Sequence, residues 1–320
     1  MKILDGIKAY ETYEANFECF RLLLNYAGEN YSSHYFHGVA GTAFRIGGIC
    51  PCAPTCTYAM PLQKLINLFG YDYAEIPAED YNETVVNNMI KAVCESIDNG
   101  MPALVWNAFT ECEWDIVTGY DENEKVFYGR GSYAGNRDEY AKKEWDYAKN
   151  TGASEGIMAI IIKGKIGSFD ADSAEISALK EGVRHANDTE NADKINSGDW
   201  VFLQGKEAYK RWASDFSNPE RERGLGDAYC IGIYSSSHRN AGGFLREISP
   251  KYPKVAEIFA KAANLFDKEA ECLDKLMPLL GWSSPGIDAK RNSEAYLLLN
   301  ETLNYYSEAI DLLASVVDNL

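Results

Sequence analysis

Residues 113–128 read Glu-Trp-Asp-Ile-Val-Thr-Gly-Tyr-Asp-Glu-Asn-Glu-Lys-Val-Phe-Tyr. Two runs rich in β-branched and aromatic residues, Glu113 to Tyr120 and Lys125 to Tyr128, flank the acidic tetrad Asp-Glu-Asn-Glu. Such runs around turn-forming residues predict an antiparallel hairpin. Upstream, Pro102–Trp106 (PALVW) is a short apolar run, and downstream Gly156–Ile162 (GIMAIII) reads as a buried strand. The middle of the chain therefore predicts an antiparallel sheet.

Helical patterns precede it. Cys19–Ala27 carries apolar residues at helical spacing, with Asn16 as its N-cap and Gly28 as its C-terminal stop. Met60–Phe69 stops at Gly70, and Asn82–Asp98 stops at Gly100. Helices followed by antiparallel strands predict an α+β domain over residues 1–165. Beyond Ser173 the pattern is helical almost throughout, over 174–186, 206–216, 229–248, 254–277 and 292–317, with Pro250, Pro253, Pro278 and Pro285 as punctuation. Residues 166–320 are thus expected to form an all-helical C-terminal domain. The stretches 32–58, rich in Gly, Ala, Pro and Cys, and 187–199, polar, read as loops.

Composition narrows the function. A formal charge of −17 argues against nucleic acid as a partner, because displacing counterions from phosphates needs a basic stripe. It is compatible with a cationic ligand. No apolar run approaches the ~18 residues of a membrane span, and the first residues lack the apolar core of a secretory signal, so a cytoplasmic protein without membrane contact is expected. The 8 cysteines then read as free thiols. Cys50, Cys52 and Cys56 cluster but lack the second ligand pair of a tight zinc site, so neither metal nor cofactor is expected.

Cys19 is the sharpest chemical feature. A cysteine in the first turn of a helix faces unpaired N–H groups and the positive end of the dipole, both of which favour thiolate. The residues around it, Cys19-Phe20-Arg21-Leu22-Leu23-Leu24-Asn25-Tyr26, together with Gly100-Met101-Pro102-Ala103-Leu104-Val105 and Ile116-Val117-Thr118-Gly119-Tyr120-Asp121, resemble the papain-like peptidases that process bacteriocin leaders. The sequence is more similar still to the group typified by the N-terminal domain of the butirosin-biosynthesis acyltransferase. Leu203–Trp212 resembles a G-x-x-A-Y-x-x-W helix of bacterial members, and Arg239–Leu245 an R-x-x-A-x-x-F-L helix. The resemblance implies a papain-like fold and a cysteine-dependent acyltransferase or amide hydrolase acting on a small molecule or short peptide, with Cys19 as nucleophile.

It also implies a histidine six residues before Gly119, where this chain has Glu113. The next strand, Val126–Gly131, lacks the acid that would orient an imidazole. A glutamate about 4 Å from a thiolate would repel it by roughly 1 to 4 kcal/mol, more than the helix dipole returns. Three alternatives stay open. His34 or His37 supplies the base, Glu113 acts as a protonated acid, or the domain is a non-catalytic homologue that binds a small ligand. Trp106, Trp114 and Tyr58, with Glu111, suit the wall and rim of such a substrate-binding cleft.

Overall fold

The computed structural model describes residues 1–48, 61–76, 82–135, 139–146, 157–188 and 203–320. Its contacts divide the chain into two compact units, one of residues 1–31 and 61–170, the other of residues 32–60 and 171–320. A single break near residue 165 does not reproduce this division, because 32–60 groups with the later helices.

The first unit is built on a 7-stranded sheet in which every pairing is antiparallel. Its strands are β1 (Lys2–Ile3), β3 (Tyr71–Ile76), β4 (Ala103–Trp106), β5 (Trp114–Asp121), β6 (Val126–Arg130), β7 (Ala141–Glu144) and β8 (Met158–Lys165). They run in the order β3-β8-β4-β5-β6-β7, with β1 paired to the far end of β5. The expected hairpin forms, Tyr120 facing Phe127 and Asp121 facing Val126. Asp121 Oδ1 accepts the N–H groups of Asn123 and Glu124, at 2.9 and 3.2 Å, which folds the acidic tetrad into a turn.

Helix α4 (Glu83–Asp98) starts where Asn82 Oδ1 accepts the Val85 N–H at 2.9 Å. Val86, Met89, Val93 and Ile97, spaced for one helical face, pack with Ala103, Val105, Val117 and Ala159 of the sheet. Helix α1 (Ala15–Tyr26) packs on β5. Its end is a Schellman motif: Glu29 N–H donates to Leu24 O and Gly28 N–H to Asn25 O, with Gly28 at φ +93°. The start differs from expectation. The helix begins at Ala15 after Glu14, so Cys19 lies in the second turn and Asn16 inside the first. Strands β3 and β7 were hidden by polar residues, and α3 (Leu62–Leu68) falls within the expected 60–69 helix.

The second unit is helical, with two-residue strand pairs joining β2 (Gly47–Gly48) to β9 (Leu203–Gln204) and β10 (Glu222–Arg223) to β11 (Gly286–Ile287). Its helices are α2 (Ser33–Val39), α5 (Ala171–Ala186), α6 (Gly205–Asp215), α7 (Leu225–Ser237), α8 (Arg239–Ile248), α9 (Ala256–Leu280) and α10 (Ala289–Ala314). Helix α2 corrects the loop expected over 32–58. Ser32 caps it by accepting the Tyr35 N–H at 3.0 Å. It packs on α8 through reciprocal glycines: a Cβ on Gly38 would lie 2.1 Å from the Phe244 ring, and one on Gly243 2.4 Å from the His34 ring. The residue that looks like a helix breaker in 32–58 is there for close approach. Phe259, Phe266, Leu273 and Leu276 of α9 and Leu299, Tyr306 and Ile310 of α10 are fully buried. Among the described residues no helix is long and apolar enough to cross a membrane.

Candidate functional site

The side chains around Cys19 form a buried polar cluster within the sheet-bearing unit. Cys19 itself is 0 % exposed, and its thiol donates to Asn16 O at 3.4 Å. Burial pushes the thiol well above its ordinary range. The Asp115 charge pushes it further, Glu18 adds to this, and the backbone N–H groups of Phe20 and Cys19 pull weakly the other way. Cys19 thus lies one turn later in the helix than expected, and its surroundings favour thiol over thiolate. Burial and the neighbouring Asp115 charge both favour the neutral thiol.

Asp115, rather than Glu113, is the carboxylate that bears most on Cys19. It is fully buried, and Oδ2 accepts the N–H groups of Phe109 at 2.6 Å and Thr110 at 2.9 Å. Its other oxygen sits against Gly131, where a Cβ would come within 2.0 Å of Oδ1. Burial raises its pKa from 3.8 to about 7, against the lowering effect of the Thr110 and Phe109 N–H bonds. The loop these bonds organise is tightly wound. Asn107 and Cys112 take φ of 61° and 59°, Asn107 Oδ1 accepts the Cys112 N–H at 2.6 Å, and Asn107 N–H donates to Glu113 O at 2.9 Å.

Glu113 is buried at 6 % exposure at the end of this loop, and its charge acts on the phenols of Tyr10 and Tyr133. Tyr10 donates to Trp114 O at 3.0 Å; burial raises its pKa well above 10, with Cys19, Asp115, Glu18 and Glu113 adding to the effect. Glu18 is paired to Arg21 through both oxygens, at 2.9 and 2.5 Å, and accepts the Glu11 N–H at 2.8 Å. Neither Tyr10 nor Asp115 was singled out by sequence. Trp106 and Trp114 are register partners packed edge to face at 5.9 Å, Trp114 buried and Trp106 half-buried, while Glu111 is exposed. Tyr58 and the Cys50/Cys52/Cys56 cluster lie outside the described residues.

All 4 histidines belong to the helical unit, so the unit that holds Cys19 contains none. His34 Nδ1 is 2.9 Å from Asn240 Oδ1, whose amide nitrogen donates to Ser236 O and Ser237 O, so the imidazole is the donor. His37 is buried, with Nδ1 2.7 Å from Thr42 Oγ1; that hydroxyl donates to His37 O, which again makes Nδ1 the donor. Among the described residues no group of three or more His, Cys, Asp or Glu side chains could hold a metal ion.

The same sheet-bearing unit has an open cavity of about 580 Å³ between α4 and the β5–β6 turn. Val86, Ile90 and Trp145 supply apolar wall, and Glu83, Glu124, Glu144 and Asp146 supply carboxylates beside Lys125, with Glu124 also paired to Lys142. The Trp145 indole nitrogen is buried and has no acceptor among the described residues. Sequence did not point here, because these residues come from three separate elements and are mostly exposed polar types.

No protein-family model matches the chain, and no curated protein matches it.

Proposed function

We propose that this chain is a non-catalytic homologue of the papain-like group its sequence resembles, and that its sheet-bearing unit binds a small amine-bearing molecule. The observation that carries this reading is the state of Cys19. A nucleophilic thiol must be ionised, accessible and next to a base. Here it is 0 % exposed, and burial together with the Asp115 charge favours the thiol over the thiolate. The acidic, tryptophan-walled cavity fits an ammonium ligand, since carboxylates supply charge and an indole face attracts a cation.

Alkylation of the native protein across pH, with the modified cysteine mapped by mass, tests the first half. Cys19 should react far more slowly at pH 7 than the half-buried Cys112; rapid modification of Cys19 at that pH would sink the reading. Titration with a polyamine or an aminosugar, followed by thermal shift at low and high salt, tests the second.

One observation favours a second reading, a cysteine-dependent acyltransferase or amide hydrolase. A carboxyl whose pKa is about 7 suits acid–base work near neutrality, and Asp115 is that carboxyl. In this reading Asp115 takes the place of the missing imidazole, and Cys19 alkylation should accelerate between pH 6 and 8 in step with its titration.

A further inference from the structure

A segment of the helical unit is held the way a receptor holds a peptide. Residues 44–47 (Phe-Arg-Ile-Gly) run without helical structure into β2, yet their main-chain polar groups are met one after another by side chains from different elements. Tyr306 of α10 donates to Phe44 O at 2.8 Å. His238, between α7 and α8, reaches Arg45 O with Nε2 at 2.7 Å. His185 of α5 places Nε2 3.1 Å from Ile46 N and 2.9 Å from Ile46 O. Tyr234 of α7 accepts the Gly47 N–H at 2.9 Å and donates to Gly47 O at 2.8 Å.

The proton assignments are consistent. A carbonyl only accepts, so His238 Nε2 carries a hydrogen. Its Nδ1 lies 2.7 Å from Glu269 Oε1, which also accepts from Tyr209 at 2.6 Å and so fixes the ring. Ile46 O already receives the Gly205 N–H at 2.7 Å, which leaves the His185 lone pair for Ile46 N–H. Burial lowers the His185 pKa to about 4, so the ring is neutral, as an acceptor must be. The side chains of the segment are gripped as well. Phe44 packs against Phe244 and Phe266 with ring centroids 6.0 and 5.5 Å away, and Arg45 faces Glu181 at 3.6 Å. On α5 Gly182 makes room, since a Cβ there would meet Phe44 at 3.1 Å.

We propose that Tyr306, His238, His185 and Tyr234 form a binding site for an extended peptide backbone, whose resident occupant is the chain's own residues 44–47, and that this strap docks and releases as a unit of its own while α9 and α10 stay folded. Four polar side chains from the helices, all buried in one core, are a large commitment to a segment that supplies little apolar area besides Phe44 and Ile46. Buried main-chain groups need partners, and here side chains from four positions supply them in order along the segment. Backbone hydrogen bonds plus pockets for particular side chains are the pattern of strand-type peptide recognition.

Native-state hydrogen exchange on the full chain tests this, with Tyr234→Phe and Tyr306→Phe as variants that each delete one hydroxyl. In the parent protein the amides of Ile46, Gly47 and Gly205 should exchange through a local opening, faster than those in the middle of α9 and α10. Each variant should speed exchange of the strap amides by roughly ten-fold, the scale of one buried hydrogen bond, and leave α9 and α10 unchanged. If the strap amides exchange at the helix rate in the parent and in both variants, the strap is part of the global core and the proposal fails. Should one variant not fold, the other carries the comparison. A variant that accelerates strap and helices equally would also overturn it.

Discussion

The carboxyl of Asp115 acts on the thiol of Cys19 more strongly than any other charged group does, and only burial outweighs it. Both side chains are fully buried in one unit, and Tyr10, anchored on Trp114 O, feels both. The cluster therefore favours neutral forms throughout, the reverse of a thiolate–imidazolium pair. Its behaviour with pH follows from this.

Asp115 should make the sheet-bearing unit less stable as pH rises. Its folded-state pKa of about 7 exceeds its ordinary 3.8, so between these values the folded chain keeps a proton that the unfolded chain has lost. The favourable contribution is complete below about pH 4 and is gone above about pH 7, a span worth on the order of 4 kcal/mol. In Asp115→Asn the side-chain oxygen still accepts from Phe109 and Thr110, but the titration is gone. Urea denaturation followed at several pH values should show the parent losing stability from pH 4 to 7 relative to this variant. Parallel curves for the two proteins would refute the assignment.

Removing the Glu18 carboxylate should be costly. Its partner Arg21 is 2 % exposed, and among the described residues Glu18→Gln leaves that guanidinium with Glu11, at 3.1 Å, as its carboxylate partner. Breaking a buried pair from one side costs about 3 to 5 kcal/mol, here reduced by the second carboxylate. A fall in the denaturation midpoint of the sheet-bearing unit is the expected result, and Arg21→Met combined with Glu18→Leu should recover much of it.

Close approach of α2 and α8 can be tested with single methyl groups. Gly38→Ala would put a Cβ 2.1 Å from the Phe244 ring, and overpacking of this kind costs about 1 to 3 kcal/mol. Because alanine favours helix over glycine, a site with open space would instead gain stability. A lower melting temperature for Gly38→Ala, partly restored by Phe244→Leu, is therefore diagnostic of the contact.

The cavity beside α4 predicts salt-sensitive amine binding. Trp145→Ala and Glu144→Gln should each weaken polyamine-induced thermal stabilisation, while Cys19→Ala should leave it intact. Equal stabilisation of all three variants would show that binding is diffuse attraction to an acidic surface.

Sequence periodicity carried the α+β arrangement well where one face of an element is apolar, as in α4, β5 and β8. It failed where burial is set by partners distant in sequence. Helix α2 was obscured by Gly38, whose missing side chain is a packing feature of α8 and not a break in the helix. In β7 (Ala-Lys-Lys-Glu) the polar composition of an edge strand hid it, since such strands carry charge outward. At the site, the sequence marked Cys19 by its helix and Glu113 only through the family resemblance, and it did not mark the carboxyl that acts most on the thiol. Asp115 sits within an alternating strand pattern where an acid reads as solvent-facing. The loop amides of Phe109 and Thr110, folded back over it, help to make its burial tolerable.

Residues 32–48 pack with helices that emerge from the ribosome long after them. During synthesis, α2 and the strap leave the exit tunnel before α8 and the other helices that receive them have been made, while α1 must find strands first translated beyond residue 70. Two nascent folding problems are thus interleaved along one polypeptide. A fragment ending at residue 165 would carry the Phe44 and Ile46 side chains with no core to enter, and would be prone to aggregation even though its sheet is complete.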